Sequence, residues 1–116
     1  MIFLRSFEEF LEALEEPLPG CVFAAYTYES QQFDPTISDF IAESLRRWSA
    51  LYEDKFAAIL AARTPRLSAT APELAEMMMA IVEGGLILSR VYGDPAYIAR
   101  QSRQFRQYLQ LLFEAN

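Results

Sequence analysis

The segment 71–92 constrains the fold most strongly, because it is apolar around most of the circumference that it would present as a helix. Its charged residues after the first turn are Glu76, Glu83 and Arg90, which are seven apart and therefore share one stripe. A helix of this composition has to be covered on more than one side. A single domain of 116 residues cannot easily cover two faces of one helix, so the segment predicts packing against a second copy of the chain.

Local signals define both ends of this helix and a weak point in its middle. Thr70 and Glu73 form a capping-box pattern, and Gly93 suits a left-handed helix end. Gly84 and Gly85 lie in the interior, where each glycine costs about 1 kcal/mol relative to alanine. We interpret this pair as the site of a close helix crossing that larger side chains would block.

Four further helices complete the predicted fold, which is all-α with five helices in one domain over residues 1–116. Apolar residues at helical spacing predict a helix over 2–15. The segment 21–32 has no clean period, and we interpret it as a buried helix because no second strand signal accompanies it. Asp34 and Pro35 predict the start of a helix of about 28 residues that ends near position 63. A similar Asp94–Pro95 start predicts a last helix that ends near position 113.

Composition excludes several classes of function. The net charge of −6 argues against DNA binding by these residues, since phosphates require a basic patch. The chain contains no histidine, and no nucleophile–base pair is visible, so we expect neither an enzyme nor a cofactor or metal site. No apolar run is long enough to span a membrane. A single cysteine, Cys21, is usual in the reducing cytoplasm, where we expect the protein to act.

The last two helices are the predicted dimer surface. They are joined tightly at 93–95, and pairing this hairpin with its copy would form a four-helix bundle with two-fold symmetry. We expect the interface to include Met77, Ile81, Glu83, Gly84, Leu88, Val91, Tyr97, Phe105, Tyr108, Leu109 and Leu112. A basic edge of Arg100, Arg103 and Arg106 either pairs with glutamates of the second copy or is simply a solvated face.

Several stretches resemble, in their order and spacing, the C-terminal domain of TetR/AcrR-type transcription regulators. They are the run GCVFAAYTYE at 20–29, the Phe33–Pro35 start of a long helix that contains Trp48, the run PELA at 72–75 that leads to Glu83–Gly85, and Gly93–Pro95. The similarity extends from about residue 7 to residue 113. It implies that the last two helices dimerise and that the preceding helices enclose a pocket for a small molecule. Ligand binding in such proteins shifts two helix-turn-helix modules and releases DNA.

The chain departs from that family at its start. Members carry a helix-turn-helix module ahead of this domain, whereas this sequence begins at Met1 in a predicted core helix. We therefore expect DNA binding only through a module that these residues lack. The leading hypothesis is a ligand-sensing and dimerisation domain of a repressor-type regulator. The alternative is a helical dimer that has no ligand, or one that sequesters full-length regulators.

Aromatic and flexible apolar side chains form the candidate pocket for a small apolar molecule. The residues are Phe23, Tyr26, Tyr28, Glu29, Phe40, Trp48, Tyr52 and Met78. Ordinary core packing would give the same apolar pattern. Glu29 is the polar candidate that could orient a ligand, although it also fits a solvated helix end.

Overall fold

The computed structural model describes residues 35–114 and, ahead of them, Arg5 and Glu9. Within this part of the chain the secondary structure consists of helix α1 (Pro35–Ala62), helix α2 (Ala71–Tyr92) and helix α3 (Ala96–Leu112). Arg5 and Glu9 are helical and exposed, as expected for the polar side of a helix over 2–15. The all-α class is therefore confirmed for the described residues. The remainder of that first helix and the predicted helix over 21–32 lie outside them, so the number of five helices stays a prediction.

The predicted bounds of α1 and α2 agree with the structure. Helix α1 contains 28 residues and ends ahead of Pro65, while the predicted cap residue Asp34 lies outside the described residues. At the start of α2, the Glu73 amide donates to Thr70 Oγ1 at 3.3 Å and the Thr70 amide donates to Glu73 Oε1 at 3.1 Å. Helix α2 ends at Gly93, whose φ of 66° lies in the left-handed region that glycine adopts without strain.

Helix α3 begins one residue later than its sequence pattern predicts. Pro95 has helical dihedral angles, but the assigned helix starts at Ala96. The N-cap position is occupied by Pro95 rather than by Asp94. The Ala96 amide donates to Asp94 Oδ1 at 2.9 Å, so Asp94 still pairs one free amide at the start of the helix. The short 93–95 connection thus ends one helix and starts the next.

The main core lies where the three helices meet. The Phe56 ring of α1 contacts the Phe105 ring of α3 edge to face, with 6.1 Å between ring centroids, a geometry that adds about 0.5–1.5 kcal/mol beyond the burial of the rings. Helix α2 contributes Leu74, Ala75 and Met78 to this core, and the end of α3 contributes Leu109, Leu112 and the following Phe113.

The connection between α1 and α2 is tied to the end of α3. The Arg66 amide donates to the Leu112 carbonyl at 2.7 Å. The Arg66 guanidinium also lies 3.6 Å from the Glu114 carboxylate. These contacts hold the connection against the far end of the core, so all three helices are fixed around one apolar cluster.

A second, smaller cluster sets the distance between α2 and α3. It contains Leu86, Ile98 and Ala99, and Gly85 faces it directly. A Cβ atom on Gly85 would lie 2.8 Å from the Ile98 Cα atom, which leaves no space for any side chain. A Cβ on Gly84 would meet no atom within 4 Å. The predicted close crossing is confirmed at Gly85, whereas Gly84 faces open space within the chain.

The two neighbouring glycines should therefore respond differently to the same substitution. Gly85→Ala should lower the free energy of unfolding by about 1–3 kcal/mol, because the new methyl group would push the α3 backbone away. Gly84→Ala is the matched control. It should leave the free energy of unfolding unchanged or raise it, because alanine is about 1 kcal/mol more favourable than glycine inside a helix. Urea denaturation of both variants makes the comparison. Equal losses of unfolding free energy in the two variants would contradict a close crossing of α2 and α3 at Gly85.

Candidate functional site

A pocket lies between α1 and α2. Helix α1 contributes Trp48 and Tyr52, which are four residues apart, and α2 contributes Met78, Met79, Val82 and Glu83. The four α2 residues share one face because 78 and 82, and likewise 79 and 83, are one helical turn apart. The cavity volume is about 60 Å³. This is well below the roughly 300–1,000 Å³ of pockets that enclose drug-sized ligands, so the space suits a small molecule or one part of a larger one.

Glu83 carries the only charge among the described residues that line the pocket. Its Oε1 atom is buried and has no hydrogen-bond partner among the described residues. Leaving a buried acceptor unpaired costs about 1–3 kcal/mol, and more for a charged group. The other buried oxygen without a partner in this part of the chain, Ser89 Oγ, belongs to a residue that does not line the pocket. The lining is therefore mainly apolar, and one lining residue carries a buried oxygen without a partner among the described residues.

The side of α2 that faces away from the core forms an outward stripe, which we define as Met77, Ala80, Gly84, Ile87, Leu88 and Val91. These residues are spaced by three or four positions and so lie on one face of the helix. The exposed fraction is 40% for Met77, 39% for Ile87, 36% for Leu88 and 71% for Val91. An exposed apolar face of this kind is a candidate interaction surface. Gly84 lies in its middle and would let another backbone approach closely.

Comparison with known proteins identifies the domain type. Residues 2–104, most of the chain, match the family described as "Transcriptional regulator LmrA/YxaF-like, C-terminal domain", which is a TetR C-terminal domain family. The chain belongs to this family. The resemblance read from the sequence motifs is thereby confirmed. Neither a curated protein nor a solved structure matches the chain.

The structure of this TetR-type domain brings together three of the predicted pocket residues. Trp48, Tyr52 and Met78 line the same cavity. Phe40 is 63% exposed and is not among the described residues that line this cavity, so its place in a ligand pocket stays a prediction. The other four candidates lie outside the described residues; they are Phe23, Tyr26, Tyr28 and Glu29.

Three lining residues are outside the candidate list, namely Met79, Val82 and Glu83, although the sequence contained a signal for them. Val82 and Glu83 follow Met78 and Met79 by four residues and so continue the same helix face. Glu83 was instead predicted at the subunit interface. The structure places Glu83 at the cavity between α1 and α2 of a single chain, and its role at the interface stays a prediction.

Apart from Glu83, the predicted dimer residues divide into three groups. Four of them belong to the outward stripe, namely Met77, Gly84, Leu88 and Val91. Three are half-buried, namely Ile81, Tyr97 and Tyr108. The remaining three, Phe105, Leu109 and Leu112, are at most 2% exposed and belong to the core of their own chain. They are removed from the candidate interface, because the apolar arc of α3 is already covered by α1 and α2.

The basic edge of α3 makes contacts within the chain. The Arg100 guanidinium lies 4.5 Å from the centre of the Tyr97 ring, and this ring stacks on Tyr92 at 5.1 Å. Arg103 and Arg106 are half-buried and also have interaction partners. Pairing of these arginines with glutamates of a second copy stays a prediction.

The described helices limit other interpretations in two respects. None of them is both long enough and apolar enough to cross a membrane. Among residues 35–114, together with Arg5 and Glu9, no three histidine, cysteine, aspartate or glutamate side chains are grouped to hold a metal ion. The pocket and the outward stripe are thus the features of this region that bear on function.

Removing the buried, unpaired Oε1 atom of Glu83 should stabilise the protein when no ligand is bound. Glu83→Met should raise the free energy of unfolding by about 1–3 kcal/mol, because an unsatisfied acceptor is replaced by an apolar group of similar length. Glu76→Met is the matched control, since Glu76 lies on the same helix but is exposed. It should change the free energy by no more than about 0.5 kcal/mol. A loss of stability in Glu83→Met, measured by urea denaturation, would show that the carboxylate has a partner.

Proposed function

We propose that the chain is the ligand-sensing and dimerisation domain of a repressor-type TetR regulator and that it binds a small apolar molecule. The observation that carries this proposal is the pocket between α1 and α2, with Trp48 and Tyr52 on one wall and flexible methionines on the other. Aromatic rings and methionines suit an apolar ligand, because they provide large contact areas that adapt to varied shapes. TetR C-terminal domains typically bind small ligands and dimerise.

The outward stripe supports dimerisation. It is continuous along α2, and its residues face away from both apolar clusters of the chain. In a two-fold dimer the same stripe on each copy would cover the other, which matches the self-complementarity of isologous interfaces. The half-buried Tyr97 and Tyr108 of α3 would lie at the margin of such a contact, so the α2–α3 hairpin would still supply the bundle.

The position of the two surfaces on one helix links ligand binding to the dimer. Met78, Met79 and Val82 of α2 line the pocket, while Met77, Gly84 and Leu88 belong to the stripe. A ligand that enters between α1 and α2 would therefore change the position of α1 relative to the helix that carries the partner. Such a shift between packed helices is a common way for a small binding event to reach another surface.

The alternative of a dimer without a ligand predicts the same stripe but gives no role to the pocket. The unpaired Glu83 acceptor and the aromatic wall favour the sensing function. Stabilisation of the folded protein by ligands is the property that separates the two hypotheses.

Small apolar molecules should stabilise the protein through this pocket. Toluene or cyclohexane should raise the thermal unfolding midpoint, since a ligand at about one hundred times its Kd adds about 2.7 kcal/mol. Val82→Phe should fill the cavity and remove the shift. Leu67→Phe is the control and should keep it, because the exposed Leu67 lies outside both the pocket and the outward stripe. An absent shift in the unsubstituted protein, or an unchanged shift in Val82→Phe, would contradict ligand sensing at this site.

A charge in the outward stripe should separate the subunits. Ile87→Glu should raise the dimer dissociation constant by at least about 100-fold, because each copy would bury an unpaired carboxylate. Leu67→Glu adds the same charge at an apolar side chain that is 64% exposed and lies outside the stripe, so the dimer should persist. Light scattering after gel filtration gives the masses. A dimer that survives Ile87→Glu, or dissociates in both variants, would exclude this interface.

A further inference from the structure

We propose that the two α2 helices of the dimer run antiparallel, with Glu76 of each copy beside the partner's Arg90. This inference rests on the proposed dimerisation and adds the direction and the register of the contact. It follows from two features of α2 that are independent of each other. One is the order of the charges along an edge of the outward stripe, and the other is the order of side-chain sizes within the stripe.

The charges beside the stripe are of opposite sign at its two ends. Glu76 precedes Met77 and Arg90 precedes Val91, so both charges flank the stripe on the same side of α2. Both residues are exposed, and neither forms an ion pair with a described residue. They are separated by about 21 Å along the helix, so they cannot pair within one chain. Each charge is therefore available to a second copy.

The direction of the contact decides which charges meet. A parallel contact would set Glu76 and Arg90 each against its own copy, and like charges that face each other are unfavourable. An antiparallel contact sets Glu76 against the partner's Arg90, and two-fold symmetry repeats this pair at the other end of the stripe. Glu83, midway along the same edge, lies opposite its own copy in either arrangement and does not distinguish them. The outer charges thus favour the antiparallel direction.

The sizes of the stripe residues favour the same direction. The half of the stripe before Gly84 contains the small Ala80, while the half after it contains the larger Leu88. With the two-fold axis at Gly84, an antiparallel contact places Leu88 against the partner's Ala80, since the two are equally distant from the axis. It places Val91 against the partner's Met77 for the same reason. Large side chains then fill the space beside small ones, whereas a parallel contact would set alanine against alanine and leave a gap.

Charge reversal tests the direction, because exposed ion pairs contribute little by themselves and repulsion gives the larger signal. In the antiparallel dimer, Glu76→Arg or Arg90→Glu alone sets like charges against each other at both ends. Each single variant should raise the dimer dissociation constant at least about tenfold, since two attractions become two repulsions. The double variant Glu76→Arg/Arg90→Glu restores both pairs with their charges exchanged and keeps the net charge of −6. Its dissociation constant, measured by analytical ultracentrifugation, should return to within about threefold of the unsubstituted value.

A control and a second measurement accompany the reversals. Asp54→Arg reverses an exposed acidic charge on α1, outside the stripe, and should leave the dissociation constant within about threefold. If a reversal variant fails to fold, as judged by circular dichroism, disulfide crosslinking decides the direction. The native cysteine is first removed by Cys21→Ser. Chains with Met77→Cys should then crosslink to mass-tagged chains with Val91→Cys, and neither kind should crosslink to itself.

The outcomes distinguish this inference from the function on which it rests. Unchanged dissociation constants in the single variants, no recovery in the double variant, or equal weakening by Asp54→Arg would overturn the antiparallel contact. Crosslinks between identical chains would overturn it as well. In each of these cases the unsubstituted protein is still a dimer, so the proposed function stands. If the unsubstituted protein is a monomer in the centrifuge, the proposed dimerisation fails and the antiparallel contact fails with it.

Discussion

Packing of α2 between α1 and α3 determines the rest of the described structure. On one side, the absence of a side chain at Gly85 lets the Ile98 backbone approach α2 closely and fixes the distance to α3. On another, Phe56 of α1 joins the same buried cluster as Met78 of α2. These contacts cover two parts of an apolar helix and leave its third part, the outward stripe, exposed. The pocket forms where α1 and α2 are separated by flexible side chains.

Because α2 both lines the pocket and carries the outward stripe, a shift of a single helix would be enough to connect ligand binding to dimerisation. The contact with α3 is close, because the Gly85–Ile98 approach leaves no space for a side chain. The contact with α1 contains the cavity and the unpaired Glu83 acceptor, so it is the contact that a ligand can change. In the proposed mechanism, α1 therefore moves against a fixed α2–α3 hairpin.

Sequence patterns predicted the bounds of the helices better than they predicted which surface each helix packs against. Proline, the Thr70–Glu73 capping box and Gly93 define local geometry, so the bounds of α1 and α2 agreed with the structure. The spacing of apolar residues identified the apolar face of α3. This spacing is the same whether that face packs against its own chain or against a second copy of the chain. Phe105 and Leu109 were for this reason assigned to the wrong partner. Likewise, the pair of glycines indicated a close crossing, and only the structure showed that Gly85 rather than Gly84 makes it.

The central claim is that α2 is covered on its outward stripe by the same stripe of a second copy. Isotope-filtered NMR on a mixture of ¹³C-labelled and unlabelled protein tests this residue by residue. Nuclear Overhauser effects between the two kinds of molecule should connect the methyl groups of Met77, Ile87, Leu88 and Val91. Intermolecular effects that are absent at these methyl groups, or that occur instead at the exposed Leu51 or Leu67, would contradict the account.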